Sequence, residues 1–349
     1  MQEQLSMPLP AQKKSMQPTT IRALGLLALS VVLVVVVLLS LRIGSISITT
    51  DDAVDALFNY DHDSQEQTVV RSLRLPRTLV AIGVGASLAV AGAIMQSATR
   101  NPLAGPEILG VSSGAAFAIV TAVYFVGLTA SWQYVWFAFA GALAASVVVY
   151  AIASAGRGGA TPVKLALAGV VVTSLLGSWS SALLLLDERT LDIVRFWLAG
   201  SVAGRSLEVY QYVVPFMIVG VVMGVAMSPQ LNVMSLGEDT ARSLGLNTGR
   251  LRAICAVVVV LMTSASVAAA GPIGFVGLAV PHIVRTIVGP DYRWIIPYCV
   301  LVGPILLLSA DITGRVIVRP AELQVGIVTA LCGAPFLIAI ARSHKVASL

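Results

Sequence analysis

The chain has 349 residues, of which 57% are hydrophobic and only 11% are charged, and its formal net charge is +5. Soluble domains carry about 25% charged residues, so the composition excludes a soluble enzyme and a disordered protein. A membrane-spanning helix needs about 20 apolar residues. The sequence therefore predicts an all-α, polytopic membrane protein with about ten transmembrane helices. Its positive charge is typical of the cytoplasmic loops of such a protein and does not require a nucleic-acid partner.

The predicted elements follow one another with short connections. Residues 1–19 are polar and are predicted to form a cytoplasmic tail, and residues 20–345 a single transmembrane domain. The apolar stretch 23–41 is longer than the core of an ordinary signal peptide, so it is interpreted as the first span. The hydrophilic loop 43–75 carries six acids. Nine further spans are predicted at 77–98, 107–126, 134–155, 163–186, 207–228, 251–270, 274–288, 294–314 and 324–341.

The distribution of basic residues predicts the orientation. With the N-terminus inside, 13 Lys and Arg residues fall on the cytoplasmic side and nine on the outside, and all four lysines lie inside. Both termini are therefore predicted to be cytoplasmic. The outer residues are all arginines, and two interpretations stay open: they anchor at the lipid headgroups, or they dock an acidic partner. They are Arg42, Arg71, Arg74, Arg77, Arg189, Arg195, Arg205, Arg315 and Arg319.

Small residues and helix breakers divide the apolar runs. Glycine and alanine recur at helical spacing over residues 83–93, which predicts a span packed inside a bundle. A break is predicted at Asn101-Pro102 and a helix restart at Gly105-Pro106. Glu107 is interpreted as a cap of the first turn, with a substrate or proton role as the alternative. Other features predict further interruptions or local contacts. Interruptions are predicted at Gly271, Pro272, Gly277 and Pro281. His282 is predicted to have a structural hydrogen-bonding role, with a ligand role as the alternative, and Asp311 can pair with Arg315.

A short cytoplasmic helix is predicted within residues 235–247. Glu238 and Asp239 fall in its first turn, Arg242 lies four residues after Glu238, and Gly245 suits a left-handed residue that ends the helix. Leu236, Thr240 and Leu244 fall on one side and form a small face that could enter a groove.

Four stretches together resemble one known family. They run from Arg74 to Gly114, from Ser235 to Leu246 (SLGEDTARSLGL), from Ala268 to Arg285 (AAAGPIGFVGLAVPHIVR) and from Ala310 to Phe336. Their order and content are similar to the permease subunits of ABC importers for iron–siderophore complexes, haem and cobalamin, the FecCD family. Gln324 departs from this pattern, since the family commonly has proline there.

The resemblance implies a permease that moves an iron–siderophore, or a related chelate such as haem or cobalamin, across the bacterial cell membrane. It implies a second permease subunit, identical or homologous, a cytoplasmic ATPase dimer, an external substrate-binding protein and membrane lipid as partners. No metal site and no cofactor are expected in this chain, because ATP is bound by the ATPase. A P-loop needs a Gly-Lys pair, and the chain has none. An ion-coupled secondary transporter is the alternative.

The resemblance also assigns residues. It implies that Arg74, Arg77 and Arg315 dock the binding protein and that residues 235–247, the coupling segment, contact the ATPase. The coupling residues are Leu236, Gly237, Glu238, Ala241, Leu244 and Gly245. The pathway or structural motif comprises Asn101, Pro102, Gly105, Pro106, Gly271, Pro272, Gly277, Pro281 and His282.

Overall fold

The computed structural model describes residues 19–44, 48–128, 131–155, 161–319 and 321–342. Fourteen α-helices account for most of these residues. A π-helical turn (Val70–Arg74) precedes α4, and a 3-10 turn (Pro106–Leu109) precedes α5. The helices are α1 (Thr19–Arg42), α2 (Thr50–Phe58), α3 (Gln65–Val69), α4 (Leu75–Thr99), α5 (Val111–Val126), α6 (Ser131–Ser154), α7 (Pro162–Leu186), α8 (Glu188–Leu198), α9 (Leu207–Ser235), α10 (Glu238–Ser243), α11 (Thr248–Ala270), α12 (Val276–Val288), α13 (Tyr292–Ile317) and α14 (Val325–Arg342).

The apolar helices confirm a polytopic, all-α membrane protein. Seven of them are long and apolar enough to cross a membrane, and α5, α12 and α14 are shorter apolar helices. These ten match the ten predicted runs in order, although the number that span the bilayer and the location of the termini stay predictions. Most of the predicted N-terminal tail lies outside the described residues.

Helix α4 lies at the centre of the bundle. In its most apolar stretch 83% of the residues are buried, against 11% in α1. Glycines allow its backbone to touch two neighbours: a Cβ on Gly92 would lie 1.7 Å from the Gly277 carbonyl oxygen of α12, and one on Gly85 would lie 2.8 Å from Gly303 of α13. Small residues permit such close approach, so the prediction of a buried, tightly packed span is confirmed.

Two predicted boundaries are wrong, and one helix was not predicted. The run predicted from 107 is divided, because Gly110 adopts a left-handed φ of +70° after the 3-10 turn, and α5 begins only at Val111. Helix α9 continues to Ser235 rather than ending at 228, with Pro215 and Pro229 inside it. Helix α8 is absent from the predicted elements, since it is amphipathic and too polar for a span: it is charged on one side and buries Val194 and Trp197 on the other.

The two ends of the bundle carry different structures. The 25 residues of α4 rise about 37 Å, from Arg77 near its start to Thr99 at its end. We name the end that contains Arg77 the outer end, following the predicted orientation. There the hydrophilic loop folds into α2 and α3, whose first turns are capped by Thr49 and Ser64. The opposite, inner end carries α10 and the connections around it.

Labelling of single cysteines tests this orientation. His62 is exposed at the outer end and Ser243 is exposed on α10. In a background lacking Cys255, Cys299 and Cys332, we expect an impermeant maleimide to label His62→Cys in intact cells and to label Ser243→Cys only after permeabilisation. The reverse pattern would show that the predicted orientation is inverted.

Candidate functional site

An ion cluster centred on the buried Asp311 joins α4 and α13 at the outer end. Arg77 donates to Asp311 through Nε and through Nη2, which lies 2.7 Å from Oδ1, and its Nη1 lies 2.6 Å from Glu322 Oε2. Arg315 also pairs with Asp311 from the next turn of α13. The side chains of Asp311 and Arg315 are both 1% exposed. The predicted Asp311–Arg315 pair is therefore confirmed, and these four residues form what we name the outer cluster.

The arginines of this region also hold the end of α1. Arg315 donates to the carbonyl oxygens of Ser40 and Ile43 at 2.7 and 3.0 Å. Arg74 is buried and donates to the carbonyl oxygens of Leu41 and Arg42 at 2.9 and 2.6 Å. Carbonyl groups at the C-terminal end of a helix lack intrahelical partners, so both guanidiniums act as helix caps. The docking role of Arg74, Arg77 and Arg315 stays a prediction.

The coupling segment presents leucines at the inner end. Gly237 (φ +111°) and Gly245 (φ +80°) lie on either side of α10, in backbone conformations that other residues rarely adopt. Leu236 and Leu244 are 63% and 64% exposed, whereas Ala241 is fully buried against the bundle. The predicted short helix and its glycine end are confirmed, and the segment leaves an apolar face uncovered within the described chain.

Glu238 fixes the orientation of α10. It accepts from Arg242 Nη2 at 2.6 Å and from Arg252 Nη2 of α11 at 2.8 Å. The Arg242 pair is the predicted one, whereas the link to Arg252 was missed because only the fold brings residues 14 apart together here. The hydrogen bond from Arg252 lowers the pKa of Glu238 below its ordinary value. The pairing therefore stabilises the segment at neutral pH, and the stabilisation is lost as the pH falls through the lowered pKa.

Two cavities flank the coupling segment. One of about 350 Å³ is lined by Thr99, Tyr150, Glu238, Arg242 and Arg252. The other, of about 550 Å³, lies on the other side and is lined by Gln96, Arg100, Leu236, Gly237 and Arg285, among others. Residues at the end of α4 and residues of the coupling segment thus line the same two cavities.

The first predicted helix break packs against the centre of the bundle. Asn101 Oδ1 accepts from the Leu103 N–H at 2.9 Å and turns the chain after Pro102. The Glu107 side chain folds over Gly105, where a Cβ would lie 2.1 Å from its Oε2. Pro106 begins the 3-10 turn and lies against Gly277 of α12. The predicted restart at Pro106 is therefore a single 3-10 turn.

The second break contains a strained residue. Gly271 ends α11 beside Pro272, and Phe275 has φ +75° with a Val276 N–H to Gly274 C=O bond of 2.9 Å. This three-residue turn is rare for a residue other than glycine and costs on the order of 1–3 kcal/mol. The Phe275 ring packs on Phe336 of α14, with the ring centroids 5.4 Å apart. The strained residue therefore also makes an aromatic contact between α12 and α14.

His282 does not make the expected structural hydrogen bond within the described chain. It follows Pro281 inside α12, and its ring lies edge-on to Phe336 with centroids 6.0 Å apart. An aromatic contact thus replaces the expected polar one. Among the described residues, no group of three or more His, Cys, Asp and Glu side chains could hold a metal ion.

The order of these features matches one sequence family. The sequence model of the FecCD transport family covers residues 32–343. The chain belongs to the FecCD transport family. The resemblance inferred from the four sequence stretches is therefore confirmed, and it extends over nearly the whole of this FecCD chain.

Relatives of this FecCD chain are components of import systems. It is 44% identical over 308 residues to the Fe(3+)-citrate import system permease protein YfmD of Bacillus subtilis (strain 168), covering 88% of this chain and 91% of the relative. It is 42% identical over 322 residues to the ferric enterobactin transport system permease protein FepD of Escherichia coli (strain K12), covering 92% and 96%. A solved structure described as an inward-facing metal-chelate type ABC transporter is 30% identical, with a TM-score of 0.80, and covers 91% of this chain and 99% of that chain.

Proposed function

We propose that this chain is the membrane permease of an ATP-driven, binding-protein-dependent importer in a bacterial cell membrane, and that it carries an iron–siderophore or a related metal chelate. The observation that carries the proposal is the family membership over residues 32–343 together with an exposed coupling segment. The chemistry of the substrate is supported by the names of the relatives, which include ferric citrate and ferric enterobactin systems.

The coupling segment supports a separate ATPase partner. Leu236 and Leu244 are exposed just before and just after α10, whose Glu238 is tied to α11 through Arg252. An exposed apolar face on a segment held in this way is suited to enter a groove in another protein. Force applied to α10 would reach α11 through the Glu238–Arg252 pair, and α11 packs directly against α4.

Helix α7 supports a pathway between two permease subunits. Ser174, Ser178 and Ser181 are exposed at intervals of one turn, and space next to Gly177 is open. The Ser178 hydroxyl donates to the Ser174 carbonyl oxygen at 2.8 Å, and a water-filled pathway would hydrate the hydroxyls of Ser174 and Ser181. A second copy of this chain and a homologous chain could both enclose such a pathway with α7.

Docking of an external binding protein at the outer end stays part of the proposal. The guanidiniums of Arg77 and Arg315 are engaged by Asp311, and Arg74 binds carbonyl groups of α1. A partner carboxylate would therefore have to share or displace these contacts. Arginine suits that exchange, since its five donors allow it to bind two acceptors at once.

The secondary-transporter alternative finds less support. Such a transporter uses ionisable groups within the membrane as ion or proton sites. Within the apolar spanning helices of the described chain, Asp311 is the one acid that does not lie at a helix end. Its carboxylate is held by two arginines. Release of a proton or ion at this carboxylate would have to compete with both.

Uptake into proteoliposomes distinguishes the two functions. We expect the chain, reconstituted with its ATPase and its binding protein, to accumulate a labelled ferric chelate only when ATP is supplied. Ionophores that collapse ion gradients should leave the initial rate unchanged. Uptake driven by an ion gradient without ATP would refute the proposal, and a panel of ferric siderophores, haem and cobalamin under the same conditions would identify the chelate.

A further inference from the structure

A cleft of about 370 Å³ opens at the outer end between α4, α6 and α8 and the segments that follow α8 and precede α14. Its walls combine two arginines with aromatic side chains, and its lining includes Arg77, Tyr134, Phe196, Trp197, Arg205 and Glu322. The segment after α8 is held in place by backbone bonds: Ser201 N–H donates to Ala270 C=O at 2.7 Å, and Gly326 N–H donates to Gly200 C=O at 3.0 Å. Backbone hydrogen bonds therefore hold this wall of the cleft in place.

Arg205 is a cation without an ionic partner in this cleft. Its Nε donates to the Ser201 carbonyl oxygen at 3.1 Å, and it forms no ion pair with any Asp or Glu that the structure describes. Burial lowers the pKa of Arg205 to about 10. Arg77, which lines the same cleft, is in contrast bound to Asp311 and Glu322. The two arginines and the one glutamate leave the cleft with a net charge of +1.

Trp197, which lines the cleft, carries a second donor without an acceptor in the described chain. Trp197 is 4% exposed, and its buried indole Nε1 has no hydrogen-bond partner. A buried donor left unpaired costs about 1–3 kcal/mol. Two residues that line this cleft, Arg205 with a partly buried guanidinium and Trp197 with a buried indole, thus carry N–H groups that have no acceptor in the described chain.

We propose that this cleft binds a carboxylate, with Arg205 as its ionic partner and Trp197 in the adjoining wall. A guanidinium binds a carboxylate through two parallel N–H···O bonds, and the aromatic walls can pack against the apolar stem that carries the carboxylate. The volume is at the lower end of the range of small-ligand sites, so it fits a small polycarboxylate or one acidic side chain. This assignment does not depend on the proposed transport function.

Binding of citrate to the full chain in lipid nanodiscs tests the proposal. Calorimetric titration at constant ionic strength is expected to show citrate binding that Arg205→Gln weakens at least about tenfold, since a charge-assisted hydrogen bond contributes about 1.5–3 kcal/mol. Trp197→Phe replaces the indole with a smaller aromatic ring and removes its donor, and it should weaken binding by a smaller factor than Arg205→Gln does. Trimethyl citrate, which has no carboxylate, should not bind.

Arg71→Gln is the matched control, because Arg71 is an exposed outer arginine that stacks on Tyr60 and does not line the cleft. It should leave citrate binding unchanged. A glutamate-containing acetylated peptide distinguishes the source: Arg205-dependent binding of the peptide alone would retain the carboxylate assignment and identify a protein side chain as the ligand. Equal losses in Arg205→Gln and Arg71→Gln, or no binding of either carboxylate to the wild type, would overturn the proposal.

Discussion

Replacing Asp311 by asparagine is expected to cause the largest loss of stability of any single substitution in the outer cluster. Asp311 is 1% exposed and neutralises both Arg77 and Arg315. Its removal leaves two guanidiniums at the outer end with only Glu322 as a counter-charge. Removing one partner of a buried ion pair costs about 3–5 kcal/mol, so the midpoint of thermal denaturation in detergent should fall by at least about 5 °C.

Asp192→Asn is the control for this measurement. Asp192 pairs with Arg195 at 3.2 Å, but both side chains are more than half exposed, and exposed pairs contribute about 0–1 kcal/mol. The double variant Asp311→Asn with Arg315→Gln should be less destabilised than the sum of its two single variants, because it removes a cation together with its anion. Equal denaturation midpoints for Asp311→Asn and Asp192→Asn would show that the outer cluster contributes no net stability.

The outer cluster also shows which contacts a sequence reveals. Asp311 and Arg315 are four residues apart, so helical periodicity alone places them together. Arg77 reaches the same carboxylate from 234 positions away, and no local pattern encodes that distance. The small residues of α4 did predict a close neighbour, but which helix touches Gly85 or Gly92 depends on the packing of the whole bundle.

The predicted helix boundaries were wrong where the local residues make a helix less apolar than an ordinary span. The hydropathy pattern placed the end of α9 at its last strongly apolar residues, whereas the helix continues through Pro229 to Ser235. Helices in membranes tolerate proline because neighbouring groups satisfy the freed backbone. Helix α8 was not predicted because its charged residues lower the mean hydropathy of the segment, although one side of the helix is apolar and includes Val194 and Trp197. The cleft beside Arg205 was therefore beyond prediction, since α8 forms one of its walls.

Breaking α10 is expected to abolish ATP-driven uptake while the chain still folds and inserts. Proline at Ala241 removes the Ala241 N–H to Gly237 C=O bond of 2.9 Å and costs the helix about 3 kcal/mol or more. That corresponds to a more than roughly hundredfold shift in the local helix–coil equilibrium. The face formed by Leu236 and Leu244 would then no longer be held in one orientation. Initial uptake rates in ATP-loaded proteoliposomes should fall to below about a tenth of the wild-type rate, and transport-stimulated ATPase activity should fall with them.

Asp239→Pro is the matched variant, because it places the same residue in the first turn of the same helix, where the N–H has no intrahelical acceptor. It should retain most of the uptake rate. Leu236→Ala and Leu244→Ala separate contact from helix geometry, since each removes apolar surface that is more than 60% exposed without disturbing the backbone. If Ala241→Pro and Asp239→Pro transport equally well, the ATPase does not act through α10. If only the leucine variants lose transport, the exposed side chains couple the two proteins without requiring the helix to be intact.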